Sequence, residues 1–300
     1  MLFIVGPTAV GKTEIAAEVA AQTGAEIISA DAFQIYAGLD ILTAKPDRET
    51  LAKARHHLIG EIPLTEKFDV AHFAQLASAR AREIAARGKR VLLSGGTGLY
   101  VRALTHGLSD LPNADTGLRA ELYAASLEEL QTRYAALDPD GSTLIDMKNR
   151  RRLVRAIEVC VLTGKSFSSF REAWANPPKN SSGFFLTRDR DELYARIDER
   201  TEQMFKKRLL DEVSALGEVG PTAAQVIGLR EARACLRGEI SQTDAIAQIQ
   251  QATRRYSKRQ LTWFRREPTF EALNLTHLPF ESAIAIIVQK ARSLSAAQNV

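Results

Sequence analysis

Cysteine is nearly absent from this chain. Cys160 and Cys235 are the only two in 300 residues, and no C-x-x-C occurs. That leaves no material for a disulfide framework or a zinc site and suits a reducing cytoplasm. Cys160 falls on an apolar helical face and is expected in a core, not as a nucleophile. No run of about 18 apolar residues is present, so no membrane span is expected. The opening Met1-Leu2-Phe3-Ile4-Val5 has no basic region before it and runs straight into Gly6-Pro7, so it reads as a strand, not a signal peptide. Internal repeats, low-complexity segments and a Ser-His-Asp order are also lacking. His56-His57 stand side by side, pointing different ways on an expected helix, with no carboxylate or Cys pattern near them to make a metal pair. Charge of one sign is not in great excess: 40 Lys and Arg against 36 Asp and Glu give +4. That balance permits a polyanionic partner without demanding one. What is plentiful is apolar residue, 45% of the chain, which excludes a disordered polymer.

Strands and helices alternate in the first hundred residues. Leu2–Val5 is a continuous apolar run, as in a strand buried on both faces. Helical spacing follows over 12–23, with Gly24 as its stop. Glu26–Ser29, Arg90–Ser94 and Phe184–Thr187 are further strands, and helix and loop fill 48–87. This order predicts an α/β fold with a parallel, helix-covered sheet. From about 115 to 175 only helical periodicity is found. Trp174 to Gly183, with its Pro, Asn, Ser and Gly, reads as a linker. The domains expected are therefore a discontinuous core of 1–114 and 179–270, a helical insertion of 115–178, and a peripheral C-terminal segment of 271–300.

Gly6, Pro7, Thr8, Ala9, Val10, Gly11, Lys12 and Thr13 form G-x-x-x-x-G-K-T, a motif that arises by chance in roughly 1% of chains this long. A strand precedes it and a helix follows, as a phosphate-binding loop requires. Its glycines let successive N–H groups turn inward, and the helix N-terminus adds partial positive charge. Lys12 can neutralise phosphate oxygens, and the Thr13 hydroxyl can ligate Mg²⁺. Asp31, at the carboxyl end of the second strand, should face this loop and could serve as a base. A second Gly-rich turn, Gly95-Gly96-Thr97-Gly98, ends the third strand. It allows a ligand to approach closely or simply makes a tight turn. No acid of the kind that ATPases use to hold Mg²⁺ ends that strand. Lys45, after Thr43-Ala44, could reach phosphate.

Cations cluster on two helical stripes. Lys148, Arg151, Arg152 and Arg155 share one face, with Leu153, Ile157, Cys160 and Val161 opposite. In 253–266, Arg254, Arg255, Lys258 and Arg259 share another, with Tyr256, Gln260 and Trp263 towards the other side. Two such stripes suggest a phosphodiester backbone as partner.

Together these pieces resemble the tRNA dimethylallyltransferase (tRNA isopentenyltransferase) family. The resemblance rests on the phosphate loop, the Asp31–Tyr36 box with Asp40-Ile41 and Thr43–Pro46, and Gly95–Tyr100. It continues through Asn149–Arg152, Arg155–Val159, Thr163–Lys165, Ile227–Glu231 and Ala252–Phe264, in family order over about residues 2–266. It implies a P-loop NTPase-like core with a helical insertion that clamps a tRNA anticodon stem-loop. It implies transfer of a dimethylallyl group from dimethylallyl diphosphate to N6 of the adenosine 3′ of the anticodon. The loop residues 6–13 would then hold the donor's diphosphate. By the same resemblance, Asp31 matches the general base, Thr13 the residue that orients diphosphate and Mg²⁺, and Arg200 a diphosphate grip. The segments Asp31, Ala32, Phe33, Gln34; Arg151, Arg152, Leu153, Val154, Arg155; and Val226, Ile227, Gly228, Leu229, Arg230, Glu231 match tRNA contacts, as do Thr97 and Arg119 singly. The family's usual Ser is Ala32 here, its usual Gly is Leu42, and its His-Pro-Asn-Asp run is Asp146-Met147-Lys148-Asn149. A monomer in the cytoplasm, with Mg²⁺ as cofactor and no membrane, is expected. The alternatives are a P-loop kinase for a small molecule, an isopentenyltransferase for free adenine nucleotides, and a nucleotide-gated RNA-binding protein without transfer chemistry.

Overall fold

The computed structural model describes residues 1–109, 111–170 and 182–296. Among these, two compact units form, one of Met1–Leu104 with Asn180–Val300 and one of Thr105–Lys179.

The larger unit is built on β1 (Leu2–Val5), β2 (Glu26–Ala30), β3 (His56–His57), β4 (Val91–Gly95), β5 (Ser182–Thr187) and β6 (Phe270–Asn274). They pair in parallel in the order β3-β2-β4-β1-β5-β6. Every residue of β1 and β2 is buried, which is why both read as unbroken runs and not as alternating patterns. One sheet face (Leu2, Ile4, Ile27, Leu92, Phe184, Leu186) packs with helix α1 (Lys12–Thr23). The other (Phe3, Val5, Ile28, Leu93, Phe185) meets α3 (Val70–Ala86) through Phe73, Ala77 and Ile84. Each such side chain contributes about 1.5–3 kcal/mol of burial. A short α2 (Arg48–Lys53) leads into β3, and α4 (Gly98–His106) leaves β4.

Two strands escaped the sequence pattern. His56 and His57 lie in β3, not in helix or loop. Backbone pairing to Ile27 and Ile28 holds them, and buried Glu26 draws in His57, whose Nε2 lies 2.7 Å from Glu26 Oε2. Arg87 and Lys89 also reach Glu26, at 2.6 and 3.1 Å. β6 corrects the expectation that 271–300 is peripheral. It pairs with β5, and the next helix seats Ala283, Ile284, Ile287 and Val288 in the core beside α1. The strand was missed because its residues 271 and 272 are exposed and give no apolar run.

The smaller unit has α5 (Thr116–Ala124), α6 (Leu127–Leu137), α7 (Pro139–Leu144) and α8 (Arg150–Thr163), and no strand among the described residues. Its lower bound is Thr105, ten residues before the expected 115. Leu122, Leu130, Tyr134, Leu153, Ile157 and Cys160 form its own core. Ser126 and Glu129 make a reciprocal capping box at α6. Residues 174–181 of the expected linker lie outside the described residues, and Ser182-Gly183 belong to β5.

The chain after β5 runs through α9 (Arg190–Lys206), α10 (Leu209–Ser214), α11 (Leu229–Leu236), the long α12 (Gln242–Phe264) and, after β6, α13 (Phe280–Ala296). The described helices include none long and apolar enough to cross a membrane.

Candidate active site

The loop between β1 and α1 lies at the carboxyl ends of the strands, where open parallel sheets bind ligands. Gly6 has φ 154°, and a Cβ there would meet Leu186 O at 2.5 Å, so only glycine fits. Gly11 caps α1 in the left-handed region with no side-chain cap, which leaves the first helical N–H groups for an anion. The loop carbonyls are turned to cations instead. Lys12 Nζ donates to Pro7 O (2.6 Å), Arg196 Nε to Ala9 O (2.8 Å) and Arg188 Nε to Val10 O (3.0 Å). Arg200 donates to Thr8 Oγ1 at 2.7 Å, while its buried Nε has no hydrogen-bond partner. Orphaned buried donors of this kind are costly, and an anion would satisfy this one.

Electrostatics agree with an anion site. Burial pushes the Lys12 ammonium down to about 8, against the pull of Asp31 and with the push of Arg200. Burial lowers Arg200 too, opposed by Asp31 and Glu14. Two crowded cations with one carboxylate near them form a site that is short of negative charge.

Asp31 follows β2 directly. Its Oδ1 accepts from Phe33 N (2.9 Å) and Gln34 N (3.3 Å), a turn that fixes the carboxylate and leaves Oδ2 to take a proton. Lys12, Thr13, Asp31 and Arg200 line one cavity of about 300 Å³. A second cavity of about 60 Å³ shares Thr8, Asp31 and Arg200 and adds Phe33, Leu42, Met204, Val226, Ile227 and Tyr256. Asp31 therefore sits where a charged cavity meets a largely apolar one.

The structure decides what the second glycine turn is for. A Cβ on Gly95 would meet Ala30 O at 2.3 Å, one on Gly96 would meet Gln260 Nε2 at 2.2 Å, and one on Gly98 would meet the Trp263 indole at 2.2 Å. The glycines make room for β2 and α12, so this turn is not a second anion nest. Thr97 Oγ1 accepts from Ala32 N at 3.1 Å, which ties the turn to the Asp31 loop. Tyr256 was read only as the inner side of a helix. It lies beside Asp31, and burial, with that charge, raises its hydroxyl above the usual phenol range.

Several other expected residues are structural. Lys45 does not reach the cavity; its Nζ donates to Tyr36 O and Asp40 Oδ1, both at 2.6 Å. Val226, Leu229 and Glu231 are buried, Gly228 has φ 94° at the cap of α11, and Arg230 is exposed and paired with Glu231. Of that segment, Val226 and Ile227 reach the smaller cavity.

Within the helical unit, the cations divide. Arg119 makes a bidentate pair with fully buried Glu158 (2.8 and 2.9 Å), and Arg155 donates to the same carboxylate at 2.5 Å. Leu153 and Val154 are core residues, so their side chains offer nothing to a ligand. Lys148, Arg151 and Arg152 are exposed. On α12, Arg254 is paired with Asp198, whereas Arg255, Lys258 and Arg259 are exposed. Sequence spacing could not separate committed from open cations, because their carboxylate partners are distant in the chain or on another face.

Residues 34–267 match the model of the IPP transferase family. The chain is 42% identical over 277 residues to a tRNA dimethylallyltransferase of Geobacter metallireducens, covering 89% of this chain and 90% of that one. It is 40% identical over 266 residues to a tRNA dimethylallyltransferase of Akkermansia muciniphila, with 89% and 90% covered. Among solved structures, it resembles the tRNA isopentenylpyrophosphate transferase of Bacillus halodurans, with TM-score 0.71, 35% identity and 98% of each chain covered.

Proposed function

The chain belongs to the IPP transferase family, and from that premise we propose that it transfers a dimethylallyl group from dimethylallyl diphosphate to N6 of the adenosine 3′-adjacent to the anticodon in tRNA, releasing diphosphate. The observation that carries this reading is the single cavity in which Lys12, the α1 amides and the under-satisfied Arg200 face Asp31.

The reaction breaks the allylic C1–O bond, and its electron pair leaves on the diphosphate oxygen. The inward amides, Lys12 and Arg200 are arranged to stabilise that charge before it develops. C1 gains cationic character, and the N6 lone pair forms the new C–N bond. N6 is a poor nucleophile because its lone pair is conjugated with the purine. Asp31, fixed through Oδ1, aligns the amine and accepts its proton on Oδ2. Such an amine is reached only if the base leaves its stack. The exposed Lys148, Arg151, Arg152, Arg255, Lys258 and Arg259 suit phosphodiester contacts.

No group of three or more His, Cys, Asp or Glu among the described residues could hold a metal by itself. The Thr13 hydroxyl on the cavity wall suits Mg²⁺ nonetheless, because that ion takes much of its shell from phosphate oxygens and water. Bound there, Mg²⁺ would neutralise charge on the diphosphate.

The test is a transfer assay with labelled dimethylallyl diphosphate, Mg²⁺ and unmodified tRNA, with AMP and ATP as parallel acceptors. Label should enter tRNA alone. Asp31→Ala should lower turnover at least ~100-fold while RNA binding changes little. Label in AMP, ATP turnover with a small acceptor, or near-normal turnover by that variant would each overturn part of this reading.

A further inference from the structure

Helix α12 presents three residues, one turn apart, to the turn after β4. Tyr256 approaches Thr97, Gln260 enters over Gly96, and Trp263 covers Gly98. Gln260 is the one that reaches further. Its Oε1 accepts from Thr8 N at 2.8 Å, and its Nε2 donates to Gly96 O at 2.9 Å. It is 5% exposed, and Gly96 leaves out a side chain so that the amide can enter. A neutral amide is costly to bury unless both ends are bonded, and here both are. An apolar residue of similar shape would pack without that requirement.

What the amide joins gives it a purpose. Thr8 is held from two sides, its N–H by Gln260 and its hydroxyl by Arg200. Gly96 begins the turn whose Thr97 hydroxyl takes the Ala32 N–H, the residue after Asp31. One side chain therefore bridges the anion-binding rim of the cavity and the rim that carries the carboxylate.

We propose that Gln260 is a positioning residue that acts through Thr8: it holds the phosphate loop and Arg200 in register with the Asp31 turn. The inference rests on the transferase reading, in which the leaving diphosphate and the attacking amine must flank one allylic carbon. Displacing such partners by about 1 Å lowers a rate on the order of 100-fold. Gln260 does not hold the proton or the leaving group; it fixes the distance between the groups that do.

The test is Gln260→Met, which keeps length and removes both hydrogen bonds, assayed well below its melting temperature. The expected result is a kcat lowered about 100-fold with the KM for tRNA within about twofold of wild type. Thr8→Val, which removes the hydroxyl arm to Arg200, should cost far less in the Gln260→Met background than in wild type, because residues that act through one another are not additive. Additive losses, or kcat and the donor KM within about threefold of wild type, would overturn the proposal.

If the variant does not fold, wild-type protein with ¹⁵N-labelled glutamine decides. Titration with inorganic diphosphate and Mg²⁺ should shift the Gln260 side-chain amide resonances, and unmoved resonances would overturn the inference. This titration needs no transfer to RNA. Wild-type protein that labels no tRNA but moves Gln260 on diphosphate binding would defeat the transferase reading and leave the bridge to the phosphate loop standing.

Discussion

Lys12 should make diphosphate binding depend on pH near neutrality. Its ammonium is pushed down to about 8 from 10.5, chiefly by burial. The diphosphate needs the charged form. A lysine with that pKa is about nine-tenths charged at pH 7 and about one-tenth charged at pH 9, so affinity should fall about tenfold across that interval. At pH 8, binding should take up about half a proton. The effect on folding has the opposite sense. Below pH 8 both folded and unfolded chains carry the proton, and burial of the charge costs about 3 kcal/mol. Between about pH 8 and 10.5 the unfolded chain binds more protons than the folded one, so the ligand-free protein gains stability as pH rises. Calorimetry of inorganic diphosphate with Mg²⁺, run from pH 7 to 9 in two buffers of different ionisation enthalpy, reads both affinity and proton uptake. Lys12→Arg keeps a permanent charge and reports the ligand's own titration, which is subtracted. Equal affinities at pH 7 and 9 with no proton uptake at pH 8 would refute the reasoning.

Two further predictions concern the framework. Glu158→Ala leaves Arg119 and Arg155 without the buried carboxylate they share, and should destabilise the helical unit by about 3–5 kcal/mol, seen as an early thermal transition by circular dichroism; an unchanged melt would show that the cluster carries no stability. Burial raises Glu26, but its bonds to His57, Lys89 and Arg87 outweigh that and bring its pKa down to about 2 from 4.5. Its stabilising contribution is complete above about pH 4.5 and is lost as pH falls from there towards 2. Denaturant titrations between pH 7 and 3 should show this loss in wild type, and Glu26→Gln should remove part of the slope.

The phosphate loop was legible because everything it needs is local. Gly6, Gly11, Lys12 and Thr13 lie within eight residues, and the strand before and helix after them announce themselves by apolar run and by helical period. The same holds for β2 with Asp31 and for the ends of α1. Periodicity also separated a helical segment from the α/β part. Only the fold could decide matters that depend on distant neighbours. β3 is a strand because Ile27 and Ile28 lie beside it, and β6 because β5 does. Spacing identified Arg119 and Arg155 as cations, but a buried carboxylate on α8 made them structural. Gly96 and Gly98 read as freedom for a ligand until α12 was seen to fill that space. Gln260 drew no attention in the sequence, for its partner Thr8 is 252 residues away. A motif can be read from sequence when its atoms are placed by a few consecutive backbone angles. A bridge between segments this far apart exists only after the sheet and its helices have packed.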